Sequence, residues 1–322
     1  MWPCPSAKSS SVRRFLNAGC MVSAFAAPGR RLDKAVEALM VWILRIGGWA
    51  SVLVTFGIIV TLVTESAPFF AKVPVIRLVK DTMWTPLFSE PQYGIGALLA
   101  GTLVTTLVAL SVAVPLGTIL AIYLSEFAPA RFRELVKPML ELLSAVPTVV
   151  YGYFALLALT PLLQAIYPDL PQFSMLSAGL IMGIMIVPYV TSLGEDSMRS
   201  VPMLLREGAY ALGDGKLGVA VRVVFPGAFS GLAAAYVLAI SRAVGETMIV
   251  AIAAGLQPKM TINPLDSAAT VTAFIVQVSL GDLPHGSIGY QSIFVAGAML
   301  FLMTLGFNLA GHGLRKKFHR AS

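Results

Sequence analysis

The chain has 322 residues, of which 57% are hydrophobic and 12% charged, and its mean hydropathy is +0.81. This excludes a soluble domain of ordinary makeup, which carries roughly 25% charged residues, and marks an integral membrane protein. A net charge of +7 would suit nucleic acid, but the basic residues cluster beside apolar segments instead of on one soluble face, so membrane topology accounts for them and no nucleic-acid partner is expected.

Residues 1–35 read as a polar, irregular cytoplasmic leader, disordered in part, with Ser9, Ser10, Ser11, Arg13, Arg14, Arg30 and Arg31. The apolar run Phe15–Ala27 is short and interrupted by Asn17, which makes it a weak secretory signal, and Met21 offers an alternative start. Both cysteines, Cys4 and Cys20, fall here and read as reduced thiols.

Residues 36–322 read as one membrane domain: an all-α, polytopic helical bundle of about six spans. The first span is Ile46–Thr64, followed by a polar stretch, Glu65–Pro91, in which Trp84 is expected as an interface anchor, with Tyr93 just beyond. The second is Ile95–Leu124. A basic loop with Arg131, Arg133 and Lys137 leads into the third, Pro138–Leu163, where Glu141 is expected to pair with Lys137 one turn earlier or to snorkel. The fourth is Leu176–Leu193, the fifth Gly227–Gly255, and the sixth Ile288–Leu309, ahead of Arg315-Lys316-Lys317. Pro115, Pro147 and Pro188, with Gly117, Gly152, Gly179 and Gly183, read as kinks and close helix contacts. The distribution of Lys and Arg puts both termini and residues 196–226 in the cytoplasm, and turns Leu256–Gln291 outward, where it can meet an external protein.

Residues 196–226 carry Arg199, Arg206, Lys216 and Arg222 against Glu207 and Asp214. Leu204–Leu212 reads as a short amphipathic helix, Gly213 permits the positive φ of a chain reversal, and Leu217–Val224 reads as a second helix ended by Pro226. The product is a helical projection on the cytoplasmic side.

The fifth span holds Arg242 and Glu246 near its middle. Four residues apart, they are expected to share a helix face. Burying an unpaired charge at a helix centre costs about 2.5 to 3.5 kcal/mol on the insertion scale, and mutual neutralisation is the bland account. Arg before Glu is the less favourable order for such a pair, which favours a role in a solute path: Arg242 attracting an anion, Glu246 setting its orientation and charge state.

Other motifs fail. Gly213-Asp214-Gly215-Lys216-Leu217 resembles the tail of a phosphate-binding loop, but Tyr210 stands where the first Gly belongs and Leu217 replaces the required Ser or Thr, so the chain is not expected to bind ATP. His285, His312 and His319 are dispersed and make no metal site. No catalytic set and no cofactor is expected.

The spaced pattern carries a resemblance. Glu207-Gly208-Ala209 is followed after three residues by Gly213 and after nine more by Val223-Val224-Phe225-Pro226. This resembles the signature of ABC importer permeases, in which Glu-Ala-Ala, Gly and Ile-x-Leu-Pro at that spacing mark the loop that docks on the ATPase subunit; Gly208, Val223 and Phe225 are the departures. Ser241-Arg242-Ala243-Val244-Gly245-Glu246-Thr247-Met248 looks like the following segment of phosphate-specific importer permeases, of the PstC type more than its partner type. Gly101–Thr105, Pro115-Leu116-Gly117, Ala121–Glu126 and Val146–Gly152 agree, and the likeness covers about residues 40 to 317. It implies a type I ABC importer permease in a bacterial inner membrane, non-catalytic itself, pairing with a second permease, two copies of a cytoplasmic ATPase and a periplasmic phosphate-binding protein. It also implies ATPase coupling through Glu207, Gly208, Ala209, Gly213 and Pro226, and association with phosphate sensing. Sulfate or molybdate is the rival substrate. A secondary anion transporter would share Arg242 and Glu246 without needing the docking pattern, and a membrane scaffold would need the pattern without the pair.

Overall fold

A computed structural model describes residues 30–281 and 283–319. Cys4, Cys20, Met21, the run Phe15–Ala27 and most of the predicted leader lie outside the described residues. Residues Met1–Val60 and Thr61–Ser322 form two compact units. The boundary falls inside the first helix, α1, Arg30–Lys72, which begins within the stretch assigned to the leader and has the length and apolar composition of a span over Val36–Lys72.

The second unit is helical, with two isolated bridges, Met83 to Lys259 and Trp84 to Tyr93, in place of a sheet among the described residues. After a short α2 (Val75–Lys80) comes α3, Ile95–Ile122, extended by a wide i to i+5 turn over Tyr123–Phe127. Next is α4, Ala130–Ala145, whose charged and apolar residues segregate to opposite sides. Val146 and Pro147 are extended and stop it, because Pro147 disfavours helix at the residue before it. The third span therefore starts at Thr148 and not at Pro138: α5, Thr148–Phe154, a wide turn over Ala155–Leu159, and α6, Thr160–Ile166. Then α7, Met175–Arg199, starts on Ser174, whose hydroxyl accepts the Ser177 amide, and outruns the expected Leu193 by six residues.

The element after it comprises α8 (Met203–Ala211), α9 (Lys216–Val219), a wide turn over Ala220–Val224, and α10 (Phe225–Gly227). Pro226 does not end the helix. It sits in the first turn of α10, where its missing N–H costs nothing, and the chain bends by 71° into α11, Phe229–Val244. The fifth span is likewise broken, with α11 followed after a gap by α12, Met248–Ala253. Leu256–Gln291 is not a plain external loop: it contains α13, Val271–Ser279, buried along Val271, Thr272, Ala273, Phe274 and Val278 against α12 and α14, Ile288–His319.

Close approach of α3 and α7 makes the centre. A Cβ at Gly183 would lie 2.7 Å from the Ala109 carbonyl oxygen, one at Gly179 2.6 Å from Val108, and one at Gly117 2.6 Å from Val190. Small residues at these positions let the two backbones meet, as membrane helix pairs require in place of a hydrophobic drive. Pro115 and Pro188 stay inside continuous helices at this contact.

Three apolar clusters lie along α3. Ile95, Ala97 and Leu98 join Phe69, Trp84, Phe274 and Val295 at one end; Ala109 and Ala113 join Met182, Ile186, Ala239 and Ile249 in the middle; Ala121 joins Met198, Val219, Val224 and Leu232 at the other end. Trp84 is a core residue and not an interface anchor. It is 2% exposed, edge-on to Phe274 at 5.6 Å between ring centroids.

Candidate functional site

Arg242 sits on the last turn of α11, between Ala239 and Ala243 of the middle cluster. Gly245, at φ −87° and ψ 0°, caps α11, so the helix stops before Glu246 and the predicted shared face does not exist. The two side chains part. The Arg242 guanidinium carbon lies 4.4 Å from the centre of the Tyr189 ring of α7. Its Nε is buried without a hydrogen-bond partner, and among the described residues the guanidinium meets no carboxylate. Glu246 is buried, and its Oε1 accepts the amides of Met248 at 3.2 Å and Ile249 at 3.4 Å, satisfying donors at the start of α12. The Thr272 hydroxyl donates to the Glu246 carbonyl at 2.6 Å, which pins the break to α13. A cation stacked on an aromatic face keeps its in-plane donors available for an oxyanion, whereas this carboxylate is committed to backbone.

At the far end of α7 the charges behave differently. Lys137 of α4 donates to Glu195 at 2.8 Å and to Asp196 at 2.6 Å, and Arg199 approaches Glu195 at 3.4 Å. Glu195 is 1% exposed. The predicted partner of Lys137, Glu141, is not used. Burial alone would lower the Lys137 pKa, but its hydrogen bonds to Asp196 and Glu195, with their charges, hold it above the ordinary 10.5. Arg206 of α8 reaches Glu126 at 3.2 Å and donates to the Met198 carbonyl at 2.7 Å.

Four of the five predicted coupling residues, Glu207, Gly208, Ala209 and Gly213, are brought together on one projection. On α8, Glu207 and Gly208 are exposed and Ala209 is half-buried; Gly213 follows at φ +88°, the left-handed conformation expected of it. The Asp214 amide closes back on the Ala209 carbonyl at 3.2 Å. Met203, Leu204 and Leu212 are exposed apolar side chains on the same projection. Pro226 lies apart, beyond α9.

Sequence reasoning missed Tyr189, Glu126, Arg206 and Glu195 as partners. Of these, Glu195 carried a signal, an i,i+4 spacing to Arg199 at the foot of an apolar helix; the others meet across helices far apart in the chain.

The family model described as "Binding-protein-dependent transport system inner membrane component" matches residues 113–321. The chain belongs to that family. Among relatives of the permease, the probable ABC transporter permease protein YqgH of Bacillus subtilis is 33% identical over 73% of this chain and 75% of its own. The phosphate transport system permease protein PstC of Mesorhizobium japonicum is 33% identical over 69% and 72%, and PstC 1 of Mycobacterium tuberculosis 32% over 71% and 74%. The resemblance to PstC-type permeases is thus borne out. In fold, the permease matches a chain of a bacterial alginate ABC transporter, solved in complex with an alginate pentasaccharide-bound periplasmic protein, at a TM-score of 0.60 and 15% identity over 90% of this chain and 97% of that one. It matches a chain of the inward-facing MetNI methionine transporter at 0.52 and 16% over 70% and 94%. The expected all-α architecture of a type I importer permease holds, with five helices among the described residues long and apolar enough to span and a sixth span if the bent pair at Ala228 counts as one.

Proposed function

We propose that the permease is a subunit of an ATP-driven inorganic phosphate importer and forms half of its translocation path. The observation that carries this is the set of PstC relatives, each named for phosphate transport and about a third identical over most of the chain. The Arg242 environment supports it. A guanidinium held at mid-bundle on Tyr189, without a carboxylate, offers a fixed charge and a planar donor fork suited to a tetrahedral oxyanion. Glu246 acts at one remove by fixing where α12 begins.

The remaining parts follow. ATP hydrolysis belongs to a pair of separate cytoplasmic subunits that grip α8 and the turn at Gly213. A second permease completes the path, and a periplasmic phosphate-binding protein delivers the anion. Both termini and residues 196–226 face the cytoplasm in a lipid bilayer, in keeping with their Lys and Arg content. Residues 36–322 are the permease domain and residues 1–35 a leader.

The test is uptake of labelled phosphate into proteoliposomes holding the purified complex, its binding protein and internal ATP. Uptake should require ATP and be competed by unlabelled phosphate but not by sulfate or molybdate. Competition by sulfate or molybdate would reassign the substrate; uptake without any ATPase subunit would make the chain a secondary transporter.

A further inference from the structure

The projection that carries α8 is exposed along Met203, Leu204 and Glu207, yet Arg206 between them turns inward. Its side chain is 15% exposed and reaches the Glu126 carboxylate, itself 8% exposed, at 3.2 Å. The same Nη2 donates at 2.7 Å to the carbonyl of Met198. Glu126 lies on the wide turn that ends α3, and Met198 lies in the last turn of α7. One guanidinium thus ties α8 to the C-terminal ends of the two helices whose close contact forms the centre of the bundle, and a cation is favoured there by both helix dipoles. The Glu126 Oε1 is held in turn by the Ser125 hydroxyl at 2.9 Å.

The tie leads somewhere. Tyr189, the seat of Arg242, lies nine residues before Met198 on α7, about 13 Å along the axis at 1.5 Å per residue. Displacement of α8 is therefore applied to the end of a continuous helix that carries the aromatic seat of the intramembrane cation. The closely packed glycine contacts of α3 and α7 make the pair move together instead of absorbing the displacement. A surface ion pair would contribute little, but this one is largely shielded from water, and its geometry is fixed by a second hydrogen bond to backbone.

We propose that Arg206 and Glu126 are positioning residues that convert displacement of α8 into movement of α3 and α7, so that this pair couples ATP hydrolysis to the anion path. The proposal rests on α8 being the ATPase docking element.

The experiment measures phosphate moved per ATP hydrolysed by the reconstituted complex. Arg206→Gln should lower that ratio at least about five-fold, and Arg206→Lys, which keeps a charge and a donating nitrogen, should recover most of it. Glu126→Gln should lower it in the same direction, and the double variant Glu126→Gln/Arg206→Gln should be no worse than the worse single variant, because both remove one interaction. An unchanged ratio in Arg206→Gln or in Glu126→Gln overturns the proposal, as does a loss that falls equally on transport and hydrolysis. Failure of both single variants to assemble assigns the pair to folding and also overturns it. Leu204→Asp, on the exposed side of α8, separates the underlying reading: if it leaves the ATPase subunits bound, α8 is not the docking element, whatever the ratio shows.

Discussion

Two buried carboxylates in this permease, Glu246 and Glu195, are partnered in opposite ways. At mid-bundle, Arg242 and Glu246 are four residues apart and do not pair; at the foot of α7, Lys137 and Glu195 are far apart in sequence and meet at 2.8 Å. The difference comes from backbone. Where a helix continues, as from Glu195 to Arg199, i,i+4 charges can meet; where Gly245 caps α11, one turn of separation puts the two groups on different elements. The foot charges are spent on holding helices together. At mid-bundle the carboxylate is spent on backbone, which leaves the Arg242 guanidinium on Tyr189 without a carboxylate among the described residues.

The largest expected effect lies at the foot. Lys137→Ala leaves Glu195, at 1% exposure, with Arg199 alone at 3.4 Å. With Lys137 itself 30% exposed and Arg199 still present, the loss should be about 1 to 3 kcal/mol, the cost of leaving a buried acceptor without one of its partners. Thermal unfolding of the detergent-solubilised complex measures it, and an unchanged midpoint would mean that the foot charges do not hold α4 to α7.

A smaller effect is expected at Glu246. Replacing it by Ala removes the acceptor for the Met248 and Ile249 amides and should cost about 1 kcal/mol, as loss of a helix N-terminal acceptor does. Glu246→Gln keeps an acceptor oxygen and should stay within a few tenths of that position's parent stability, with transport retained. A transport loss in Glu246→Gln as large as in Glu246→Ala would show that charge, not capping, is what Glu246 supplies, and would erase the contrast between the two regions.

The smallest effect concerns pH. Because the folded pKa of Lys137 is raised, its contribution to stability is fully present below 10.5 and is lost only as pH rises through the raised value. Thermal midpoints measured between pH 6 and 9 should therefore show no component that Lys137→Ala abolishes.

Much of this was legible in the chain. The apolar runs placed α3, α7 and α14, and Gly213 announced its positive φ because a chain reversal between two amphipathic helices needs one. Pro226 misled: a proline both ends helices and starts them, and only the bend at Ala228 decides which. The stretch Gly227–Gly255 looked continuous because apolar composition is the same in one span and in two half-length helices, and Gly245 is tolerated in either. Trp84 looked like an interface anchor since polarity around it in sequence says nothing of Phe274, which covers it. Of the site, Arg242 was visible as a charge in an apolar run, but its seat on Tyr189 joins two helices that sequence spacing cannot align.

The most direct test of Arg242 as the anion contact is uptake of labelled phosphate by reconstituted complexes of Arg242→Lys and Arg242→Gln, normalised to assembled complex. Lysine keeps a charge without the planar fork, so Arg242→Lys should retain partial transport, and Arg242→Gln should fall by roughly 10- to 100-fold, the about 1.5 to 3 kcal/mol that a charge-assisted contact supplies. Transport at the parent rate by an assembled Arg242→Gln complex would contradict the account.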